Sequence, residues 1–321
     1  MVAPKDTSAE AWTTTLKSAN LHAMKTQKRP ALPEWFKIRP PSTESFEKIK
    51  KQLQTTGLKT VCEEAHCPNL SECWSGGTAT FMLLGETCTR GCRFCAVKTG
   101  NPHQEVDPLE PYKISQSIKK MNIDYIVLTM VARDDIPDGG AAHIAQCIRA
   151  IHKENPKILI EMLASDLRGN AVALKVILES GIVVFAHNIE TTEGLTKFVR
   201  DGRAAYAQSL QVLKNAKKIA QNIYTKSSIM LGLGETEEEI IQTMKDLRDV
   251  GTDMLTLGQY LPPSETHISL KEYVHPDQFK KLEKIGLDLG FIYVASGPLV
   301  RSSYKAGELF VKTLVKSDNS K

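Results

Sequence analysis

No stretch of this 321-residue chain approaches the ~20 consecutive apolar residues that a membrane-spanning helix requires, which excludes a helical membrane protein. Charge of one sign is also scarce. Forty-one Lys and Arg stand against 37 Asp and Glu, and the resulting +4 is scattered among acids rather than massed. That leaves no electrostatic footprint for nucleic acid, and neither nucleic acid nor membrane is expected as a partner. A composition of 41% hydrophobic and 24% charged residues leaves no basis for extensive disorder. The first thirty residues lack the apolar core of a secretory signal and hold a single arginine, Arg29, too little for an organelle presequence. The expected location is cytoplasmic, and disulfides lose the compartment that favours them.

What the chain does have is clustered cysteine. Six of its seven cysteines lie between positions 62 and 95, in two triplets, Cys62-x4-Cys67-x5-Cys73 and Cys88-x3-Cys92-x2-Cys95. Iron–sulfur clusters are held by cysteine thiolates, and three cysteines on a four-iron cubane leave one iron for another ligand. Two such runs suggest two clusters, each with an unusual fourth position. Structural zinc is the competing reading, with His66 and His103 able to complete tetrahedral sites. Cys147, on a helical face with Ile144, Ile148 and Ile151, reads as a small buried hydrophobe.

Beyond the cysteines, short β-rich runs alternate with amphipathic patterns. Expected strands are 78–84, 124–130, 157–163, 181–186, 227–231, 254–258 and 292–295. Helical stripes run through Ile114, Ile118 and Met121, through Ala207, Leu210, Leu213 and Ile219, through Ile240, Met244 and Leu247, and through Phe279, Leu282, Ile285 and Leu289. Thr236 and Glu239 have the spacing of a capping box. Such alternation means an α/β fold with a parallel sheet covered by helices. Six or seven units suit a full or partial barrel, an open doubly wound sheet being the alternative. Polar residues recur just past the strand ends, where barrel active sites are built: Arg133-Asp134-Asp135, Asp166 with Arg168, His187-Asn188-x-Glu190, Gly232-x-Gly234-Glu235 and Gln259-Tyr260. A salt-bridged charge cluster is the plain alternative for Arg133-Asp134-Asp135.

The loop Cys88-Thr-Arg-Gly-Cys92-Arg-Phe-Cys95 resembles the signature of the radical S-adenosylmethionine superfamily. The resemblance implies a 4Fe–4S cluster on Cys88, Cys92 and Cys95 whose open iron binds S-adenosylmethionine, and reductive cleavage of that sulfonium to a 5′-deoxyadenosyl radical. It also implies a partial (β/α)6 TIM-type barrel. Asn188 and Glu190 suit the ribose or methionine part of such a ligand, with Arg133 and Asp134 as further candidates.

The first triplet, together with Arg301-Ser302-Ser303-Tyr304, resembles the lipoyl synthase family. The similarity extends from about Trp35 to Phe310 and takes in Phe185-Ala-His-Asn-Ile-Glu-Thr191 and Met230-Leu-Gly-Leu-Gly-Glu-Thr236. By that resemblance Cys62, Cys67, Cys73 and Ser303 hold a second, auxiliary 4Fe–4S cluster, Ser302 being the alternative ligand. The reaction implied is insertion of two sulfur atoms, at C6 and C8 of a protein-bound octanoyl-lysine, with the auxiliary cluster as sulfur donor. Implied partners are an octanoylated lipoyl carrier domain or protein, an electron donor and iron–sulfur assembly proteins. The expected organisation is an N-terminal extension (1–75) with the auxiliary motif, the barrel (76–290) and a C-terminal extension (291–321), the two extensions covering the barrel mouth. Another radical sulfur-inserting enzyme and a non-catalytic iron–sulfur carrier are the rival readings.

Overall fold

The computed structural model describes residues 31–37, 44–65, 67–75, 79–121 and 123–303. Strands β1 (Lys59–Thr60), β2 (Phe81–Leu83), β3 (Thr87–Cys88), β4 (Lys98–Thr99), β5 (Tyr125–Met130), β6 (Leu159–Leu163), β7 (Val184–Ala186), β8 (Tyr224–Leu231), β9 (Met254–Gln259) and β10 (Tyr293–Gly297) form two sheets. The large sheet has the order β1-β2-β5-β6-β7-β8-β9-β10, and β3 pairs only with β4. From β2 to β10 every pairing in the large sheet is parallel and follows chain order; β1 alone runs antiparallel, on the outer edge of β2.

The helices are α1 (Glu44–Thr56), α2 (Val61–Glu64), α3 (Leu70–Ser75), α4 (Glu110–Met121), α5 (Ala141–Glu154), α6 (Ala171–Leu178), α7 (Glu193–Val199), α8 (Tyr206–Ile219), α9 (Glu237–Asp249) and α10 (Pro276–Asp288). Parallel neighbours need a crossover, and α4, α5, α6, α8, α9 and α10 supply one between each successive pair from β2 to β10. Because helices cover the outside and side chains fill the inside, strands such as Met254–Gln259 are buried at every position. On the concave face Lys226 of β8 reaches across β7 to Glu161 of β6 at 2.8 Å, and the Tyr125 hydroxyl of β5 donates to the same carboxylate at 2.6 Å. Among the described residues β2 and β10 do not pair, so the barrel is partial. Six strand–helix units build it, as the (β/α)6 expectation has it, and the segment after position 290 adds β10 as a seventh parallel strand.

The capping box of α9 is present, with the Thr236 side chain on the Glu239 amide and the Glu239 side chain on the Thr236 amide. One stripe differs from expectation. The buried face of α8 is Tyr206, Ser209, Val212, Leu213 and Ala216, whereas Ala207 is exposed and Ile219 borders solvent.

Outside the barrel, α1 packs on α3 through Phe46 and Trp74, whose ring centroids are 5.2 Å apart. After β10 the chain turns back over the end of β9. A Cβ on Gly258 would lie 2.1 Å from the Val300 carbonyl oxygen, so only glycine lets the two backbones meet there.

Candidate functional site

The second triplet sits in the loop that follows β2, at the C-terminal end of the parallel sheet. Its backbone is tied to many elements. Gly100 N–H donates to the Cys88 carbonyl, Thr89 N–H to Ala132, Arg93 N–H to Val199, and Ile268 N–H to the Arg93 carbonyl, all at 2.9–3.0 Å. His267 Nε2 bonds the Cys95 carbonyl at 3.1 Å. The amides of Arg90 and Asp201 donate to the sulfurs of Cys88 and Cys92 at 3.4 and 3.3 Å.

Arg90, inside the motif, is the central fastener. Its guanidinium grips Asp134 with Nε and Nη2, both at 2.9 Å, and Asp166 with Nη1 and Nη2, both at 2.7 Å. Burial opposes ionisation of Asp166, but the Arg90 hydrogen bonds outweigh it and hold the carboxyl at about 2. Gln208 adds a third contact to Asp166 at 2.7 Å. Asp201 accepts from Gly91 N–H at 2.8 Å, and Arg203 bonds both Asp201 and the Thr89 carbonyl.

Most of the polar rim proves to be scaffold of this kind. Arg133 is 1% exposed and spends its guanidinium on both oxygens of Asp135 and on the Leu84 carbonyl. Asp134 belongs to Arg90, with Arg203 at 3.3 Å. Arg133 and Asp134, expected as further ligand contacts, are both ion-paired here, Arg133 with Asp135 and Asp134 with Arg90. Glu235 accepts from the amides of Gly232 and Leu233 and so closes the turn into α9. Gln259 ties the carbonyls of Leu231 and Glu272 together. His187 is buried with both ring nitrogens engaged, Nδ1 with the Ala164 carbonyl and Nε2 with Ser209, each at 2.9 Å. Burial holds its imidazole down at about 4, hence neutral.

Asn188 and Glu190 behave differently. Both keep part of their surface open just past β7. The Asn188 side chain bonds Glu190, while its Oδ1 is buried without a partner among the described residues. Glu190 adopts φ 70°, an uncommon left-handed conformation for a non-glycine residue. Burial raises its carboxyl, against the pull of Arg200, and its charge reaches Cys92 and Cys95. Arg200 was not singled out in the sequence. It is 7% exposed, its Nη1 donates to Ile189 and Ser209, and its Nε has no partner among the described residues. The signal for it is three-dimensional: the end of α7 brings it to Glu190 and Cys92.

The first triplet is built on two short helices. Cys62 lies in α2 and Cys73 in α3, with Cys67 between them. Cys67 N–H donates to the Cys62 carbonyl at 3.0 Å, and Cys73 N–H to Asn69 at 2.9 Å. Burial raises the thiols of Cys62, to about 11, and Cys67 in this triplet, as it raises Cys92 and Cys95, the latter to about 12, in the other. They stay protonated near neutrality, so loading a metal group there releases protons. Asn69 Nδ2 donates to the Leu299 carbonyl at 2.6 Å, and the Arg301 charge reaches Cys67. The returning C-terminal segment therefore meets the stretch that carries the first triplet. Ser302 and Ser303 form a half-buried turn at its end. Tyr304 and His66 lie outside the described residues, and His103 is exposed.

The sulfur spacing bears on which metal group fits. Tetrahedral thiolate zinc, with Zn–S near 2.3 Å, needs sulfurs about 3.8 Å apart. Neither triplet gathers its three sulfurs within 4.8 Å; among the described residues, Glu110, His143 and Cys147 form the ligand-type group that meets that limit. A cubane differs in its donor set: it is held by cysteine thiolates, which is what each triplet offers. In the Glu110 group, the carboxylate accepts from Leu84 N–H at 3.1 Å and from His143 at 2.7 Å. Cys147 is fully buried in the main apolar core, as expected for a small hydrophobe.

Comparison with known proteins gives two family matches. Residues 82–247 match the radical SAM superfamily, and residues 3–67 match the N-terminal domain of lipoyl synthase of the radical SAM family. The mitochondrial lipoyl synthase of Culex quinquefasciatus is 56% identical over 91% of this chain and 78% of its own length. The chloroplastic lipoyl synthase of Ricinus communis is 54% identical over 90% of this chain and 80% of its own. Among solved structures, HydG, a maturase of the FeFe-hydrogenase, superposes with a TM-score of 0.53 at 14% identity, over 84% of this chain and 78% of that one.

Proposed function

The chain belongs to the lipoyl synthase family of radical S-adenosylmethionine enzymes, and from that premise we propose how its residues divide the work. Its activity is the family's, sulfur insertion into a protein-bound octanoyl group. Cys88, Cys92 and Cys95 hold one 4Fe–4S cluster. Cys62, Cys67 and Cys73, closed by Ser303 with Ser302 as the alternative, hold the other. When bound, the first cluster with S-adenosylmethionine supplies a hydrogen-abstracting radical, and the second supplies sulfur to C6 and C8 of the octanoyl chain.

The observation that carries this assignment is the placing of Arg200 and Glu190 beside Cys92: Asp201, next to Arg200, donates its amide to Cys92 Sγ at 3.3 Å, and Arg200 Nη1 bonds the Ile189 carbonyl next to Glu190. An amino-acid-bearing sulfonium needs both signs of charge and ribose acceptors, and that pair with the free Asn188 Oδ1 offers all three. Glu190 and Asn188 meet the ribose or ammonium; Arg200, with its unpaired Nε, suits the carboxylate. The Arg90 network, Asp134 included, fixes the loop, and Arg133 braces Asp135 and the Leu84 carbonyl beside it. The described parts of the N-terminal extension (1–75) and of the C-terminal extension (291–321) serve as the covers that bring Cys62, Cys67 and Cys73 to the mouth, β10 also completing the sheet.

Protein partners follow the chemistry: an octanoylated lipoyl carrier domain, an electron donor and iron–sulfur assembly proteins. The relatives' names place them in mitochondria and chloroplasts rather than the cytoplasm. We therefore expect an organellar matrix, to be checked by fractionating the source cells. Among the described residues no helix is long and apolar enough to cross a membrane.

An anaerobic single turnover tests the reading, with reconstituted protein, S-adenosylmethionine, a reductant and an octanoyl-lysyl peptide followed by mass spectrometry. The expected result is a peptide carrying two added sulfurs, with two deoxyadenosines per product. Deoxyadenosine without sulfur gain moves the substrate elsewhere. No deoxyadenosine from protein holding both clusters overturns the enzymatic reading.

A further inference from the structure

The segment that follows β9 carries an imidazole to which the chemistry at the mouth gives no part. His267 is half-buried, and its Nε2 lies 3.1 Å from the Cys95 carbonyl oxygen. A carbonyl only accepts, so Nε2 carries a proton in this contact and donates it. Nδ1 of the same ring lies 2.8 Å from Ser264 Oγ. That oxygen is 2.8 Å from Thr266 Oγ1 and accepts from the Thr266 amide at 3.3 Å. With Nε2 committed to the carbonyl, Nδ1 of the neutral ring accepts from the Ser264 hydroxyl, and the Ser264 oxygen is left to accept from Thr266. One carbonyl thus fixes the direction of the whole chain, and the ring is held from both nitrogens.

The carbonyl at the end of that chain belongs to the last cysteine of its triplet. The Cys95 amide donates to the Cys92 carbonyl at 3.1 Å, which closes the turn, and Ile268 N–H donates to the Arg93 carbonyl at 3.0 Å. Residues 267 and 268 therefore hold alternate carbonyls of the Cys92–Cys95 turn. Phe94, between those carbonyls, packs in an apolar group with Val199, Leu233, Tyr260 and Ile268, and the Tyr260 hydroxyl donates to the Ile268 carbonyl at 2.8 Å. The far end of the segment is anchored too, Gln259 accepting from Val274 N–H at 2.8 Å and donating to the Glu272 carbonyl at 3.0 Å. Packing and backbone bonds place Ile268. The His267 side chain adds something different, a polar donor aimed at a cysteine of the motif from a segment that is itself fixed.

We propose that His267, oriented by Ser264, is a positioning residue for the reductive step, holding the Cys95 end of the loop and favouring the reduced state of the cluster bound there. The inference rests on the proposed cluster at Cys88, Cys92 and Cys95. A donor on the carbonyl of a ligand residue draws electron density from that residue, so an added electron on the metal group is better tolerated. His267 acts through Cys95 and not on the substrate. The Arg90 network braces the front of the same loop from Asp134 and Asp166, and the Ser264–His267 pair serves its other end.

The test uses the full chain with both clusters loaded, as wild type, His267→Ala, His267→Gln and Ser264→Ala, each with its iron content and urea midpoint measured. Redox titration followed by electron paramagnetic resonance gives the midpoint potential, read on the signal that S-adenosylmethionine alters. We expect His267→Ala to move that potential to more negative values and to slow deoxyadenosine formation about fivefold at a fixed, limiting reductant potential, the worth of one hydrogen bond. Its urea midpoint stays near that of wild type. His267→Gln, whose amide still donates to the carbonyl, regains most of the potential, and Ser264→Ala moves it by a smaller step in the negative direction. An unmoved potential in loaded His267→Ala overturns the proposal. So does His267→Gln falling as far as His267→Ala, which assigns the ring to packing alone. Where His267→Ala fails to load, Ser264→Ala decides, and an unmoved potential there overturns the proposal as well. Wild-type protein with no signal that responds to S-adenosylmethionine removes the underlying cluster reading instead.

Discussion

Around Cys88, Cys92 and Cys95 the backbone is fastened to the ends of β5 and β6, to the segment after α7 and to the stretch near Ile268. Around Cys62, Cys67 and Cys73 the support is lighter: a helix of four residues and one of six, the Val61 amide on the Thr80 carbonyl, Trp74 packed on Phe46, and the Asn69–Leu299 hydrogen bond. One set of thiols is built into the barrel; the other is held between two extensions. A catalyst that must present the same geometry at each turnover gains from the first construction. A group that is given up and replaced gains from the second, where a segment can lift without disturbing the sheet.

The sharpest way to break this contrast is Cys92→Ala. We expect deoxyadenosine to fall below detection, with iron at the first triplet retained; persisting cleavage would falsify the assignment of the second triplet. Cys67→Ala, or Ser303→Ala, should act on the other side of the divide, leaving deoxyadenosine formation while abolishing sulfur gain. Lipoylated peptide from Cys67→Ala protein would end the sulfur-donor assignment.

Stability should separate the two regions next. Arg90→Ala strands the carboxylates of Asp134 and Asp166, and loss of one partner of a buried pair costs about 3–5 kcal/mol. Denaturant unfolding measures it; a change under about 1 kcal/mol means that the network does not hold the loop. A pH effect follows from His187. Its ordinary value of 6.5 falls to about 4 in the fold, because burial and the Arg200 charge oppose the imidazolium. The unfolded chain therefore binds more protons between these values. Stability is complete above about pH 6.5 and declines toward about pH 4, by up to about 1.4 kcal/mol per unit. Urea midpoints across that window should flatten in His187→Gln, and an unaltered slope rules out this residue as the cause.

The smallest effect belongs to the clasp between the extensions. Asn69→Ala removes one hydrogen bond, about 1 kcal/mol, and should raise hydrogen exchange in residues 62–75 without touching residues 88–95. Equal changes in both segments would erase the comparison.

The seven expected strands all exist, because continuous apolar runs between helical stripes are the imprint of burial on both faces. Their limits are less legible. The strand from Tyr224 begins three residues earlier than expected: Lys226, a charged residue that reads as loop, pairs with Ala186 and Met254 and spends its ammonium on Glu161. The stripe on α8 was misplaced for a similar reason: Ser209 faces inward to hold His187 and Arg200, a polar contact that hydrophobic periodicity does not register. Helix α6 (Ala171–Leu178) is so uniformly apolar that it shows little polar face to detect. The cysteines were legible through spacing alone. Which rim residues meet a ligand was not, because Arg133 and Glu190 look alike as charged residues past a strand. They differ in burial and setting: Arg133 is closed on Asp135 and Leu84, whereas Glu190, bonded by Asn188, keeps part of its surface open.

The seat of Val300 on Gly258 has a consequence for biosynthesis. A ribosome delivers residues 298–303 only after every barrel strand has been made, and domains fold in that N-to-C order. The barrel and its Cys88–Cys95 loop can be complete while the last segment is still unmade. The Cys62–Cys73 side cannot be closed until that segment arrives and docks. Maturation therefore has a built-in sequence, in which the site that starts the chemistry is ready before the site that ends it.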